Sequence, residues 1–385
     1  MGLIAAGTMV LGGRISRPGW LETTGGRIVA CAPGPPPRPA DHDFPDCTVA
    51  PGFIDMHVHG GGGASYTDAD GIGDAAAFHL SHGTTTTLAS LVTASPPELL
   101  SGVRGLAEAT RAGVVAGIHL EGPWLNRARC GAHDHTQMRD PDPEEIDAVL
   151  SAGGDAIKMV TLAPELPGAD AAIRRFVDAG VVVAVGHTDA TYEQTRHAIA
   201  LGATVGTHLF NAMPPLHHRE PGPALALLWD PRVTVELIAD GVHLHPDLVH
   251  AVIEAAGAER VAVITDAIAA AGRADGAYRL GAVRIDVVSG VARVHGASTI
   301  AGSTATMDRL FRAVAGPGPN ADADAALAAA VRTTAATPAR ALGLDRVGSL
   351  RPGYDANLVV LDSDLRVMAV MRRGDWHDHS GRGGA

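Results

Sequence analysis

The chain has 385 residues, 46% hydrophobic and 19% charged, with a formal net charge of −12. That length allows one large core with a smaller module beside it. The acidic balance, without a basic cluster, argues against a nucleic-acid partner, and no apolar run approaches the length that a bilayer crossing needs.

Residues 1–50 open with the apolar stretch Leu3–Leu11, which lacks a basic start and runs into Gly12-Gly13-Arg14 without a convincing cleavage site. It reads as a strand rather than a signal peptide. Another short strand is predicted around Arg27–Cys31, followed by the proline-rich loop Pro33–Pro39. Apolar runs of strand length then follow at Phe53–Val58, Thr84–Leu91, Val114–Leu120, Ala156–Leu162, Val181–Val185, Ala203–Leu209, Val233–Ile238 and Val261–Ile264. Between them lie helical patterns such as Pro96–Arg111, Pro143–Ala152, Ala171–Ala179, Thr191–Leu201 and Pro246–Ala256. Several open with proline in the first turn, and most stop at a glycine: Gly83, Gly113, Gly153, Gly180, Gly202, Gly257. Eight β-then-α units imply parallel strands with right-handed crossovers, and eight can close into a (β/α)8 barrel of the TIM type. An open doubly wound sheet is the alternative. Residues after about 345 read as a turn and a strand, Gly348 to Asp362, with a frayed tail from His377 to Ala385. The expected organisation is a barrel over 51–344 and a small β-sandwich-like module built from 1–50 and 345–385. The three cysteines, Cys31, Cys47 and Cys130, are odd in number and follow no motif, which points to free thiols in a reducing, cytoplasmic setting.

The first barrel strand delivers His57 and His59 on one face, since residues i and i+2 of a strand point the same way. Other strand ends carry Glu121 (third), His187 (fifth), His208 (sixth) and Asp266 (eighth). An open sheet would spread these positions, whereas a closed barrel gathers them at its C-terminal mouth. Glu121, His187 and His208 would supply three protein ligands and leave a position open for water, as catalytic zinc sites do. His57 and His59 would complete a second site, bridged by Glu121 or hydroxide. Beside such a metal, Asp266 can take a proton from water and give it to a leaving amine. A metal lowers the pKa of its water to about 7. This is an apparatus for metal-assisted hydrolysis of an amide, ester or imine. His119, two residues from Glu121, reads as a supporting residue rather than a ligand.

The order His57/His59, Glu121, His187, His208, Asp266 resembles the amidohydrolase superfamily. Longer strings are similar to one family within it, the N-acetylglucosamine-6-phosphate deacetylases: PGFIDMHVHG (51–60), HLEGP (119–123), GAH (131–133), KMVTLAPE (158–165), GHT (186–188), THLFNAMPPL (207–216), REPG (219–222), ADGVH (239–243), TDA (265–267) and IAGS (300–303). The resemblance implies loss of acetate from N-acetyl-D-glucosamine 6-phosphate, with one or two divalent ions per subunit. Zinc leads, with iron, manganese or cobalt as alternatives. It makes Asp266 the general base and acid, and His243 the residue that orients the sugar and polarises the amide carbonyl. It places His133 on a loop reaching the sugar phosphate and Ile300 in the substrate site. It assigns phosphate binding to the Asn211-Ala212 backbone and to Arg219, the latter across a homodimer interface. His217 and His218 read as exposed loop residues and Lys158 as structural. Another amidohydrolase acting on a cyclic amide or amine, such as a dihydroorotase, hydantoinase or deaminase, is the alternative. Several of those bridge their metals with lysine, where HLEGP places a glutamate. Cys130, between Arg129 and Gly131, reads either as a lid thiol activated by basic neighbours or as an incidental loop cysteine.

Overall fold

The computed structural model describes residues 2–316 and 322–378. Its centre is a sheet of parallel strands: Phe53–Val58, Thr84–Leu91, Gly117–Glu121, Ile157–Leu162, Val182–Val185, Ala203–Gly206, Thr234–Leu237 and Val261–Val263. Each pairs with the next in chain order. The eighth meets the first through single contacts. Asp266 N–H donates to the His57 carbonyl at 2.9 Å, and His59 N–H donates to Ala267 at 2.8 Å. The Thr265 hydroxyl donates to Asp55 at 2.5 Å. The result is the expected α/β barrel, nearly closed.

Side chains alternate along the strands and form two cores. Val58, Ala89, Ile118, Leu120, Val160, Leu162, Val183, Val185, Val235, Leu237, Val261 and Val263 pack outward with the helices. Met56, Leu88, Met159, Ala184, Val205, Ile238, Ala262 and Ile264 fill the inside, with Leu342 against them. The first strand breaks the alternation. Asp55 pairs with Thr87 but Val58 with Ala89, so this strand carries one extra residue. Such a bulge re-aims side chains, and here it lets Met56 join the interior floor directly beneath His57.

Helices form where capping and periodicity agree. In Pro96–Arg111, Ser95 and Glu98 make a reciprocal capping box, and Leu99, Val103, Leu106 and Ala107 share the buried face. The cap expected at Gly153 falls one residue later: Gly153 is still helical and Gly154 takes the positive φ of 52°.

The two ends of the chain meet in a second, mixed sheet. Its order is Asp375–Asp378, Val367–Arg372, Leu358–Leu361, His42–Pro51, Gly2–Leu11, Gly19–Thr24, Arg27–Pro33, with Arg14–Ser16 also on Gly2–Leu11. Ile4, Met9, Leu21, Ile28, Val49, Leu358, Val360 and Met371 make its own core, while Val10, Ala50, Val359 and Val370 join the barrel's outer core. His377, expected in a frayed tail, belongs to the edge strand Asp375–Asp378; residues 379–385 lie outside the described residues. An antiparallel sheet of Gly276–Leu280, Val283–Val288 and Val291–Val294 was not anticipated. It follows the eighth barrel strand and carries Leu280 and the following segment, Ser298 to Ile300, to the barrel mouth. No helix among the described residues is long and apolar enough to cross a membrane.

Candidate metal centre and active site

Strand ends bring the sequence-derived residues together. His57, His59, Glu121, His187, His208 and Asp266 are all buried. His187, His208 and Asp266 have φ of 48°, 27° and 48°. Non-glycine residues in this region cost roughly 1–3 kcal/mol each and persist only where neighbours hold them. Asn126 N–H donates to the His187 carbonyl at 3.0 Å, and Ser303 N–H to the Asp266 carbonyl at 2.7 Å. His208 N–H donates to Glu236 Oε2 at 3.2 Å.

Glu121 is the hub. Its Oε1 lies 3.1 Å from His187 Nε2, 3.1 Å from His208 Nε2 and 3.4 Å from His57 Nε2. Its Oε2 lies 3.2 Å from both His59 Nε2 and His133 Nε2. Asp266 Oδ1 stands 3.1 Å from His59 Nε2 and 3.6 Å from His57 Nε2. Two sets of ligand atoms, His57/His59/Asp266 and Glu121/His133/His187, each fall within 4.8 Å of one another.

Partners of the far ring nitrogens separate ligands from donors. His57 Nδ1 faces Glu236 Oε2 at 3.1 Å, His59 Nδ1 faces the Ser90 carbonyl at 3.3 Å, and His187 Nδ1 faces the Arg129 carbonyl at 2.8 Å. Each partner only accepts, so each Nδ1 carries a proton, and each ring in its neutral form presents its Nε2 lone pair inward. His57 Nε2 is buried without a hydrogen bond, as a nitrogen reserved for a cation would be. His133 is the reverse. Thr93 N–H donates to its Nδ1 at 3.2 Å, so Nε2 carries the proton and points at Glu121 as a donor. His133 therefore completes a geometric cluster without the lone pair a ligand needs.

Electrostatics agree. Burial alone would raise the Glu121 pKa, but the surrounding histidines hold it well below the usual carboxylate range. Asp266, against the same burial cost, is held down to about 2 by His59 and His57. Burial pushes His133 down to about 4, so it stays neutral. Burial opposes a charge on His59, yet Asp266 and Glu121 raise it to about 9. The carboxylates thus favour positive charge at the HxH motif, whether proton or divalent ion. The donor set, four imidazoles with two carboxylates, fits a first-row divalent metal.

The cluster opens into a cavity of about 400 Å³ whose wall includes Asn211, Ala212, His243 and Ile300. His243 Nδ1 lies 2.8 Å from Asp240 Oδ2. Burial opposes its protonation, but this hydrogen bond outweighs it and raises the pKa. Arg219 is exposed outside its own cavity, 2.8 Å from His218 Nε2. His217 and His218 are exposed as expected. Cys130 is half-buried, between cavity-lining Arg129 and Gly131. Lys158 is the second residue of the fourth strand, at the end away from Glu121.

The sequence reading missed the groups behind the cluster. Ser90 Oγ receives the Val58 N–H at 3.0 Å and meets His119 Nδ1 at 2.9 Å. His119 Nε2 meets Thr161, and Thr161 meets Thr207, each at 2.8 Å. His119 is thus a supporting residue, as expected. Glu236, fully buried on the seventh strand, was also missed. Its signal was legible: a lone carboxylate inside the apolar run Val233–Ile238.

A parallel barrel with these donors at its mouth defines a metal-dependent hydrolase. A family model described as the amidohydrolase family matches residues 48–377, and the chain belongs to that family. It is 35% identical over 332 residues to N-acetylglucosamine-6-phosphate deacetylase of Lysinibacillus sphaericus, covering 85% of this chain and 84% of the relative. It is 37% identical to N-acetylgalactosamine-6-phosphate deacetylase of Escherichia coli O157:H7, covering 85% and 86%. Among solved structures, a substrate complex of an aspartate-to-alanine variant of N-acetyl-D-glucosamine-6-phosphate deacetylase from Mycobacterium smegmatis superposes with a TM-score of 0.96. That chain is 55% identical, with 97% of this chain and 98% of the other covered.

Proposed function

We propose that the chain removes acetate from N-acetyl-D-glucosamine 6-phosphate to give D-glucosamine 6-phosphate. The observation that carries this reading is the Glu121-centred cluster opening into a sugar-sized cavity, in a chain 55% identical to the Mycobacterium smegmatis enzyme. Glu121, His187 and His208 would hold one divalent ion, and His57 and His59 with Asp266 would hold a second. Zinc is the first choice, because imidazole and carboxylate suit it. A bound metal supplies Lewis acidity and makes water a nucleophile near neutral pH.

The chain's own residues supply the rest. Asp266 Oδ1 takes a proton from the attacking water and returns it to the leaving nitrogen. Its depressed pKa keeps it ionised for the first transfer. His243, fixed through Nδ1 by Asp240, turns Nε2 to the acetyl carbonyl and orients the sugar. His133 keeps its Nε2–H on Glu121, while the loop that carries it reaches toward the sugar phosphate. The Asn211-Ala212 backbone and Arg219 bind the phosphate, with Ile300 closing the sugar pocket. Arg219 is exposed away from its own cavity, which supports its delivery to a neighbouring site in a homodimer. Cys130 is read as a lid thiol. We assign residues 1–50 and 345–385 to one terminal module and 51–344 to the catalytic barrel, and place the enzyme in the cytoplasm on its three free cysteines.

The Escherichia coli relative favours a second reading, the C4-epimeric N-acetylgalactosamine 6-phosphate. Acetate release from both phosphosugars, from unphosphorylated N-acetylglucosamine, and turnover of a dihydroorotate and hydantoin panel separate the readings. The proposal expects the highest kcat/KM on N-acetylglucosamine 6-phosphate and no turnover of the cyclic ureides. Preference for a cyclic ureide would overturn it.

A further inference from the structure

The ligand histidines are not anchored alike. His59 and His187 rest on neutral backbone carbonyls, those of Ser90 and Arg129. His57 rests on a carboxylate, Glu236, at 3.1 Å. Glu236 is fully buried, its Oε1 has no hydrogen-bond partner, and His57 is its one ion-pair partner among the described residues. A buried carboxylate so sparsely satisfied is costly unless positive charge compensates it. Neither arginine nor lysine pairs with it among the described residues, so the compensation must pass through the His57 ring. A carboxylate behind a histidine fixes its tautomer, orients the ring and makes the opposite nitrogen a stronger donor. The same Oε2 accepts the His208 N–H at 3.2 Å, but that contact is to backbone and leaves the His208 ring outside its charge relay.

We infer that Glu236 is the positioning residue of the HxH half of the centre, through its contact with His57 Nδ1, and decides whether a second divalent ion is held there. Glu236 thereby sets an asymmetry between the halves: the His57/His59 side depends on it, and the Glu121/His187/His208 side does so far less. This rests on the two-ion centre proposed above.

The test is titration of metal-free protein with Co²⁺, read by visible absorption and by competition with a chelator, so that it does not depend on turnover. The parent is compared with Glu236→Gln, which keeps the shape and removes the charge, and with Glu236→Asp, which keeps the charge and withdraws it from His57. His57→Asn identifies which uptake step belongs to the HxH side. Metal-free thermal midpoints show that each variant is folded. The expected result is a ten- to hundredfold weaker HxH step in both Glu236 variants, with the other step nearly unchanged. Glu236→Gln should add no further loss on top of His57→Asn. Parent affinity at the HxH step in either folded variant would overturn the inference, as would equal weakening of both steps. A parent that takes up a single Co²⁺ insensitive to His57→Asn would sink the two-ion reading and this inference together.

Discussion

The two ends of the same eight strands obey opposite rules. At the floor, Met56, Leu88, Met159, Ala184, Val205 and Ala262 pack with Leu342 into an apolar plug. At the mouth, one carboxylate touches five imidazoles, and His187, His208, Ala212 and Asp266 are among the residues that hold left-handed backbone. The floor gains stability from buried area. The mouth spends some of that stability on strain and buried charge, as functional sites do. A change at the mouth should therefore remove turnover and spare the fold, and a change at the floor should do the reverse.

The sharpest attempt to break this contrast is Asp266→Asn, which keeps shape and removes the proton acceptor. General acid–base groups are worth about 10²–10⁴-fold, and a loss of at least that size in kcat is expected, with the fold and the ion on the Glu121 side kept. Near-normal turnover would take Asp266 out of its role. Next comes Arg219→Ala. A charged hydrogen bond contributes roughly 1.5–3 kcal/mol, so kcat/KM on the phosphosugar should fall about ten- to several-hundredfold. Activity on unphosphorylated sugar should barely change. Mixed dimers of Arg219→Ala and Asp266→Asn protomers should regain activity, because each would hold one site with both defects and one with neither. Verified hybrids without rescue would place Arg219 in its own subunit's site.

Smaller effects on turnover follow. A thiol reagent should slow the parent enzyme, substrate should protect it, and Cys130→Ser should be insensitive with near-parent kcat; inactivation that persists in Cys130→Ser rules out the lid-thiol reading. His79 lies behind the mouth, with Nε2 2.9 Å from the Gly60 carbonyl. Burial pushes it down to about 4. The folded chain therefore keeps it neutral while the unfolded chain protonates it near pH 6.5. Between those values the unfolded state binds more protons, so stability falls as pH drops from about 6.5 to 4. The window is worth on the order of 3 kcal/mol, and His79→Gln should flatten that slope in denaturant titrations. Met159→Ala at the floor should cost about 2–5 kcal/mol of stability and leave kcat of the folded enzyme intact. A kcat loss rivalling that of Asp266→Asn would erase the division between floor and mouth.

The barrel was legible because its strands are buried on both faces and read as continuous apolar runs. The clustered polar residues were legible because His57/His59, Glu121, His187, His208 and Asp266 each interrupt such a run at its end. The antiparallel sheet over the mouth was not assigned, although Val283, Ile285 and Val287 alternate with polar residues before the Ser289-Gly290 turn. Ser90, Thr161 and Thr207 carried no signal, since hydroxyls in a strand declare nothing until their partners across the barrel are known. The role of His133 was equally hidden: only the Thr93 N–H on its Nδ1 reveals which nitrogen holds the proton. The bulge that lets Met56 and His57 both face inward depends on register with the second strand, which one strand's sequence cannot announce.

In the proposed function a divalent ion held by the Glu121 cluster drives deacetylation of a phosphorylated amino sugar. The most direct test is acetate release from N-acetylglucosamine 6-phosphate by metal-analysed protein, before and after chelation and after re-addition of zinc. Activity is expected to fall with metal content, return with zinc, and be far weaker on the sugar without its phosphate. Undiminished acetate release by protein shown to be metal-free would contradict the proposed function.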